Sequence, residues 1–151
     1  MNFGQNLIEA TRVVFETMIC LPLTAEEPLP EGISSFNQSV SGLLGLSGDL
    51  KGMLCIHCPE AVAHSITAML LGCEGDSDEV CDAIGEIANM VAGNLKMAFA
   101  EAGKRLELSI PTAIAGKSYS VSAQSEGDRV TVPFQVPGGR FLVELRYHLS
   151  T

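Results

Sequence analysis

The stretch Asp82-Ala-Ile-Gly-Glu-Ile-Ala-Asn-Met-Val-Ala-Gly-Asn94 reads as the middle of a long amphipathic helix. At about 100° per residue, Ile84, Ile87, Ala88, Val91, Leu95 and Ala98 fill one arc, as a helix packed on an apolar core requires. Asp82, Glu86 and Asn89 fall within about 60° of one another on the opposite side, so the polar stripe faces outward. Beside it stand Gly85, Ala92 and Gly93, with Met90 and Met97, where an exposed helix ordinarily carries long Lys and Glu side chains. Gly costs about 1 kcal/mol against Ala inside a helix, and two of them beside one stripe imply that another surface must come close.

Working outward, Asp76 with Glu79 three residues on has the form of a capping box. The acidic run 74–79 suits the positive end of the helix dipole, and Gly103 closes the helix after about residue 101. Upstream, Pro59 and Gly72 bracket a short helix over 61–71, with Pro59 at its first position. A β-hairpin precedes that, with strands over 40–46 and 50–58 joined at Ser47-Gly48-Asp49. In the first helix Phe3, Leu7, Val14 and Met18 share a face opposite Gln5, Glu9, Arg12 and Glu16, and Pro22 ends it near Cys20. Residues 23–38 carry two prolines, Pro28 and Pro30, and no clear period, and read as loop or irregular edge. Downstream, strands are expected over 106–114, 118–123, 129–136 and 139–149 as a meander, with turns at 125–128 and 137–139. Val130, Val132, Phe134 and Val136 alternate, as do Phe141, Val143, Leu145 and Tyr147. Arg140, Glu144 and Arg146, with Leu142, are expected on the solvent face of the last strand. The outcome is an α+β fold of long helices packed on antiparallel sheet. Both halves run helix, extended segment, Gly-centred hairpin, which suggests an internal duplication in which the first helix lacks any Glu/Asn pair.

A chain of 151 residues is expected to form a single domain over 1–151, large enough to bury a core without staples. Nine basic against eighteen acidic residues leave a net charge of −9, which disfavours nucleic acid and anionic membrane and favours a partner with a cationic pocket. No run reaches the length of a membrane span and no secretory leader is recognisable, so a cytoplasmic protein is expected. Five cysteines, mostly among apolar neighbours, read as buried thiols in a reducing compartment.

Glu86 and Asn89, one helical turn apart, put a charged acceptor beside an amide that can donate and accept at once. Such an amide can hold a water for attack without taking its proton, a recurring part of phosphoryl transfer, where positioning and charge stabilisation do most of the work. The chain shows no phosphate-cradling Gly loop and no grouped metal ligands, so no metal or cofactor of its own is expected and the rest of such a site falls to a partner. The pattern Asp82-x-x-x-Glu86-x-x-Asn89, followed by Pro111 in Ser109-Ile-Pro-Thr112, resembles the CheC/CheX family of chemotaxis phosphatases. So do the supporting stretches Glu9-Ala-Thr-Arg-Val-Val-Phe-Glu-Thr-Met18, Val40-Ser-Gly-Leu-Leu-Gly-Leu-Ser-Gly-Asp-Leu-Lys-Gly52 and Val132-Pro-Phe134. That family removes phosphate from the aspartyl-phosphate of the response regulator CheY. The resemblance implies a CheC-like fold and a phosphorylated CheY-type receiver as partner and substrate. Glu86 would pair with the receiver's lysine and Asn89 would orient the attacking water, with Mg²⁺ supplied by the receiver. Asp82, Gly85, Met90, Ala92, Gly93, Met97 and Pro111 would form the contact face. A single motif favours the CheX branch, for which the resemblance implies a homodimer through sheet pairing. Pro111 departs from the pattern, since 21 residues separate it from Asn89, one fewer than the family's spacing.

Two other readings follow from the residues. The same face could dock receivers without catalysis, as an adaptor. More remotely, Cys55-Ile-His-Cys58 is a CxxC between strand and helix, where a thiol–disulfide pair would sit, although strand geometry points Cys55 and Cys58 to opposite faces. CxxC with no second CxxC or HxxxH does not complete a zinc site, and no Ser, His and acid set suggests a nucleophile.

Overall fold

A computed structural model of the chain describes residues 2–31, 33, 35–121 and 127–149. Helix α1 (Phe3–Val14) starts where the Asn2 side chain accepts the Gln5 N–H at 3.0 Å, and it buries Leu7, Ala10, Thr11 and Val14. It then loosens into a π-helical turn (Phe15–Ile19) that closes at Cys20, whose backbone adopts φ 60° and donates to Phe15 O at 2.7 Å. The wider turn advances the register by one residue. Phe15 and Ile19 therefore go inward, and Met18, which the 3.6-residue period assigns to the buried face, is 53% exposed.

Strands β1 (Thr24–Ala25), β2 (Ser35–Gly48) and β3 (Leu50–Pro59) follow, then helices α2 (Glu60–Leu71) and α3 (Ser77–Glu101). Gly48 turns the β2–β3 hairpin at φ +106°, where any Cβ would meet Arg105 O at 2.7 Å. The turn is tied down by Asp49 N–H to Arg105 O (2.9 Å) and Arg105 N–H to Asp49 Oδ2 (2.6 Å). Pro59 caps α2 from just outside it, and Gly72 ends the helix with φ 78°. The capping box of α3 is present as read, with Glu79 N–H to Asp76 Oδ1 at 2.8 Å and Asp76 N–H to Glu79 Oε1 at 3.3 Å.

The last four strands are β4 (Leu106–Leu108), β5 (Thr112–Ser120), β6 (Asp128–Val136) and β7 (Gly139–Leu149). They do not form a meander. The sheet is antiparallel throughout in the order β1-β6-β7-β3-β2-β4, with β5 also paired to β2. The strand expected over 106–114 breaks at 109–111, because Pro111 has no N–H to contribute to the ladder. Ser109 replaces the regular pairing there, its N–H donating to Gly45 O (3.0 Å) and its Oγ accepting the Gly45 N–H (2.7 Å). The strand expected from Ser118 is the end of β5, and the turn expected at 125–128 lies partly outside the described residues.

The connectivity repeats about the β3–β7 seam. The strand after α1 joins the hairpin of the second half at β6, and the strands after α3 join the hairpin of the first half at β2. Helices α1 and α3 lie together on one face of the sheet, where Asn94 Nδ2 of α3 donates to Ala10 O of α1 at 3.0 Å. Between them and the sheet Leu7, Phe15, Leu54, Ile56, Ile84, Ile87, Val91, Phe99, Phe134 and Phe141 form the core. The other face is also covered: Phe36, Val121 and Leu142 form a second, small core with Leu29, Met53 and Tyr119 at its rim. This overturns the solvent face expected for β7. Arg140 is exposed, but Leu142 is buried and Glu144 is fully buried, held by Arg146 Nε at 2.6 Å and Thr131 Oγ1 at 2.8 Å.

Candidate active site

The helix that carries the polar stripe rests unusually close to the sheet. A Cβ on Gly42 of β2 would stand 2.6 Å from Ile84 O and 3.2 Å from the Gly85 Cα, so Gly42 is spent on this contact. Gly85 is buried and Ala92 fully so. Both are therefore covered by the chain itself, Gly85 facing Ala113 of β5, where a Cβ would make ordinary contact at 3.9 Å, and neither is offered to a visiting surface. Gly93 is different, since a Cβ there would meet nothing within 4 Å.

On the outer side Asp82 and Glu86 are exposed and Asn89 is half-buried. Among the described residues the side chains of these three make no hydrogen bond or ion pair. Lys96, the nearest cation on the helix, is occupied with Glu107 at 3.8 Å. Glu86 and Asn89 thus present a bare carboxylate and a bare amide one turn apart, ready for groups brought from outside. The amide oxygen can accept a hydrogen bond from a water while its NH₂ donates to a second oxygen, and the carboxylate can pair with a cation.

Two contacts set what lies beside the pair. Lys96 touches Glu107, and Gly85 faces Ala113, so α3 runs antiparallel to the chain over 107–113. Residues 109–111 consequently flank the turn that carries Asn89 and Ala92. Pro111 is half-buried in this break, and next to it Ile110 is 88% exposed, the most exposed large apolar side chain among the described residues. Met97, one helical turn beyond Gly93, is 63% exposed, whereas Met90 is half-buried and packs on the core. Asp82, Glu86, Asn89, Gly93 and Met97 are therefore brought to one open face with Pro111 at its margin; Gly85, Ala92 and most of Met90 are turned away from it. Ile110 was not singled out by the sequence. Its only signal is an apolar residue directly before a proline in a strand whose alternation fails.

The two cysteines of the CxxC do not form a redox pair. Cys58 points into the main core and Cys55 to the far face of the sheet, both are free, and burial pushes each thiol up to about 12. Neither supplies the thiolate that disulfide exchange needs near neutral pH.

A capped helix laid on an antiparallel sheet, with an unpaired carboxylate and amide on its open side, is the build of a CheC-like α+β protein. The family model described as chemotaxis phosphatase CheX matches residues 40–135, and the chain belongs to that family. It is 31% identical over 88 residues to the CheY-P phosphatase CheX of Thermotoga maritima, a match spanning 56% of this chain and 57% of that relative. The crystal structure of the chemotaxis protein CheX of Vibrio vulnificus superposes with a TM-score of 0.87 at 29% identity, over 97% of this chain and 99% of the other. The CheX in a CheX–CheY–BeF3–Mg²⁺ complex from Borrelia burgdorferi has the same fold, with a TM-score of 0.82 at 20% identity, covering 97% of this chain and 98% of that one.

Proposed function

We propose that the chain is a phosphatase acting on the aspartyl-phosphate of a CheY-type receiver domain. In this reading Asn89 holds a water in line with phosphorus, Glu86 pairs with the receiver's lysine, and Mg²⁺ and the phosphoaspartate belong to the receiver. The water oxygen bonds to phosphorus, the bond from phosphorus to the aspartate oxygen breaks, and inorganic phosphate leaves with the carboxylate restored. Only positioning is asked of this chain, which is what phosphoryl transfer chiefly needs. The observation that carries the reading is the unpaired Glu86/Asn89 couple on an open helix face, flanked by the exposed Ile110 and Met97. It is supported by membership of the CheX family, by the likeness to a CheY-P phosphatase, and by a same-fold CheX found in complex with CheY.

The same reading places the protein in the cytoplasm, where receivers are phosphorylated; no helix among the described residues is long and apolar enough to cross a membrane. It also carries a homodimer through sheet pairing, for which β5, paired to β2 along one side and largely exposed, offers an edge. The deciding experiment mixes the protein with a phosphorylated, Mg²⁺-bound receiver and follows release of phosphate. Asn89→Ala should lower the rate on the order of 10²-fold while complex formation falls little. Unchanged decay of the phosphorylated receiver at saturating wild-type protein would leave the adaptor reading in its place.

A further inference from the structure

On the face of the sheet away from α3, three side chains of ligand type converge. Cys55 and His57 lie two residues apart on β3 and so point to the same side, and Glu144 on β7 sits directly across from Cys55. One donor atom from each falls within 4.8 Å of the other two, and their exposures are 0%, 2% and 0%. Burying three such groups is costly unless each is satisfied. Part of that is met within the chain. Arg146 Nε and Thr131 Oγ1 each donate to one oxygen of Glu144, and His57 Nδ1 shares a 2.7 Å hydrogen bond with Ser41 Oγ, which is itself 2.7 Å from the Tyr119 hydroxyl. What remains is specific: His57 Nε2 is buried and has no partner among the described residues, and no hydrogen bond is made there by the Cys55 thiol.

We infer that Cys55, His57 and Glu144 form a binding site for a divalent cation of the zinc type, which bridges β3 and β7. A thiolate, an imidazole and a carboxylate suit Zn²⁺ or Co²⁺ and not the all-oxygen preference of Mg²⁺ or Ca²⁺. The surrounding bonds are those that ligands of such an ion ordinarily have: Ser41 holds the ring of His57 by its other nitrogen, and Arg146 and Thr131 hold the carboxylate. The proton balance is simple. His57 would bind as the neutral ring, its one proton on Nδ1 and donated to Ser41 Oγ, which leaves the unpartnered Nε2 to the cation. The Cys55 thiol, pushed up by burial and by Glu144, gives its proton to solvent as sulfur bonds the cation, so affinity climbs with pH. Glu144, Arg146 and Tyr119 are the other ionisable groups facing the site. The site lies across the sheet from Glu86 and Asn89, and its place at the seam between the two halves gives it a structural part to play.

The test uses the full chain with the exposed or half-buried thiols removed (Cys20→Ser, Cys73→Ser, Cys81→Ser), since these would otherwise hold metal on their own. The protein is unfolded in chelator, refolded with Co²⁺ or Zn²⁺ in the presence of a phosphine reductant, and desalted. The expected results are one metal per chain, a near-ultraviolet thiolate-to-Co²⁺ charge-transfer band, and a thermal midpoint several degrees above that of the metal-free protein. Cys55→Ala should abolish the band, and His57→Ala and Glu144→Gln should each weaken Co²⁺ binding about tenfold or more. Retention of less than about a tenth of an equivalent by the unmutated site overturns the inference whether or not the variants fold. So does a charge-transfer band that survives Cys55→Ala.

Discussion

Replacing Gly42 with alanine tests how α3 is held. The added methyl would stand 2.6 Å from Ile84 O, 3.0 Å from its carbonyl carbon and 3.2 Å from the Gly85 Cα. Ordinary contact begins near 3.4 Å, so relief needs a movement of about 0.8 Å, and every atom in the way is backbone, which cannot rotate aside as a side chain would. Overpacking of this kind costs about 1–3 kcal/mol. In a chain of this size that lowers the thermal midpoint by about 2–4 °C for each kcal/mol. The motion lifts the turn that carries Glu86 and Asn89, and a displacement approaching 1 Å at a positioning residue can cost on the order of 10²-fold in rate. The control is Gly93→Ala, where a methyl meets open space and the helix gains about 1 kcal/mol, so stability should rise. Urea denaturation of both variants, alongside phosphate release from a phosphorylated receiver, reads all of these quantities. A Gly42→Ala protein with an unshifted midpoint and full activity would refute the account of α3 seated on β2.

Three further outcomes are expected. Ile110→Lys leaves an 88% exposed position exposed, so stability should stay within about 0.5 kcal/mol. Its titration against an activated receiver should show affinity reduced by more than 1 kcal/mol, as for an apolar anchor; unchanged affinity would remove Ile110 from the contact face. Replacing the fully buried Glu144 with alanine strands Arg146 beside a buried hole and should cost about 3–5 kcal/mol in denaturant titration, where a surface pair would cost less than about 1. In chelator-treated protein, His57 should make stability fall with acid. Its folded pKa of about 4 lies below the ordinary 6.5, so the unfolded chain binds the proton first. The stabilisation is complete above about pH 6.5, is lost as the pH falls towards 4, and amounts to at most about 3 kcal/mol. His57→Phe should flatten that slope, and an unaltered slope between pH 6.5 and 4 would assign the acid sensitivity elsewhere.

Local signals were legible in the residues and non-local ones were not. The Asp76/Glu79 box, the Gly48 turn and the Gly72 and Gly103 stops act over a few residues, and each stands where it was read. The end of α1 did not follow its period, because nothing in Phe15-Glu-Thr-Met-Ile19 announces a π turn that moves Met18 outward and Ile19 in. Glu144 looked like a solvent residue because alternation reports only that two faces exist. Which face is covered depends on Phe36 and Val121 arriving from distant segments. The candidate site divides in the same way. Glu86 and Asn89 are set by one helix's period and could be aligned from spacing alone. Gly85 and Ala92 were assigned to the open face because their angle on the helix is close to that of the polar stripe, and only the position of β2 and β5 shows that this flank is already taken.

The strand order has a consequence for how the chain can be divided. Because β1 completes the hairpin that ends the chain, and β4 and β5 complete the one near its start, neither half possesses the strands that border its own hairpin. A cut in the exposed turn between α2 and α3 would yield two fragments that are each other's missing edges, bound to associate or to expose raw strands to whatever else is in solution. The helix bearing Glu86 and Asn89 would go with one fragment, and the strand it lies on, with Gly42, would go with the other.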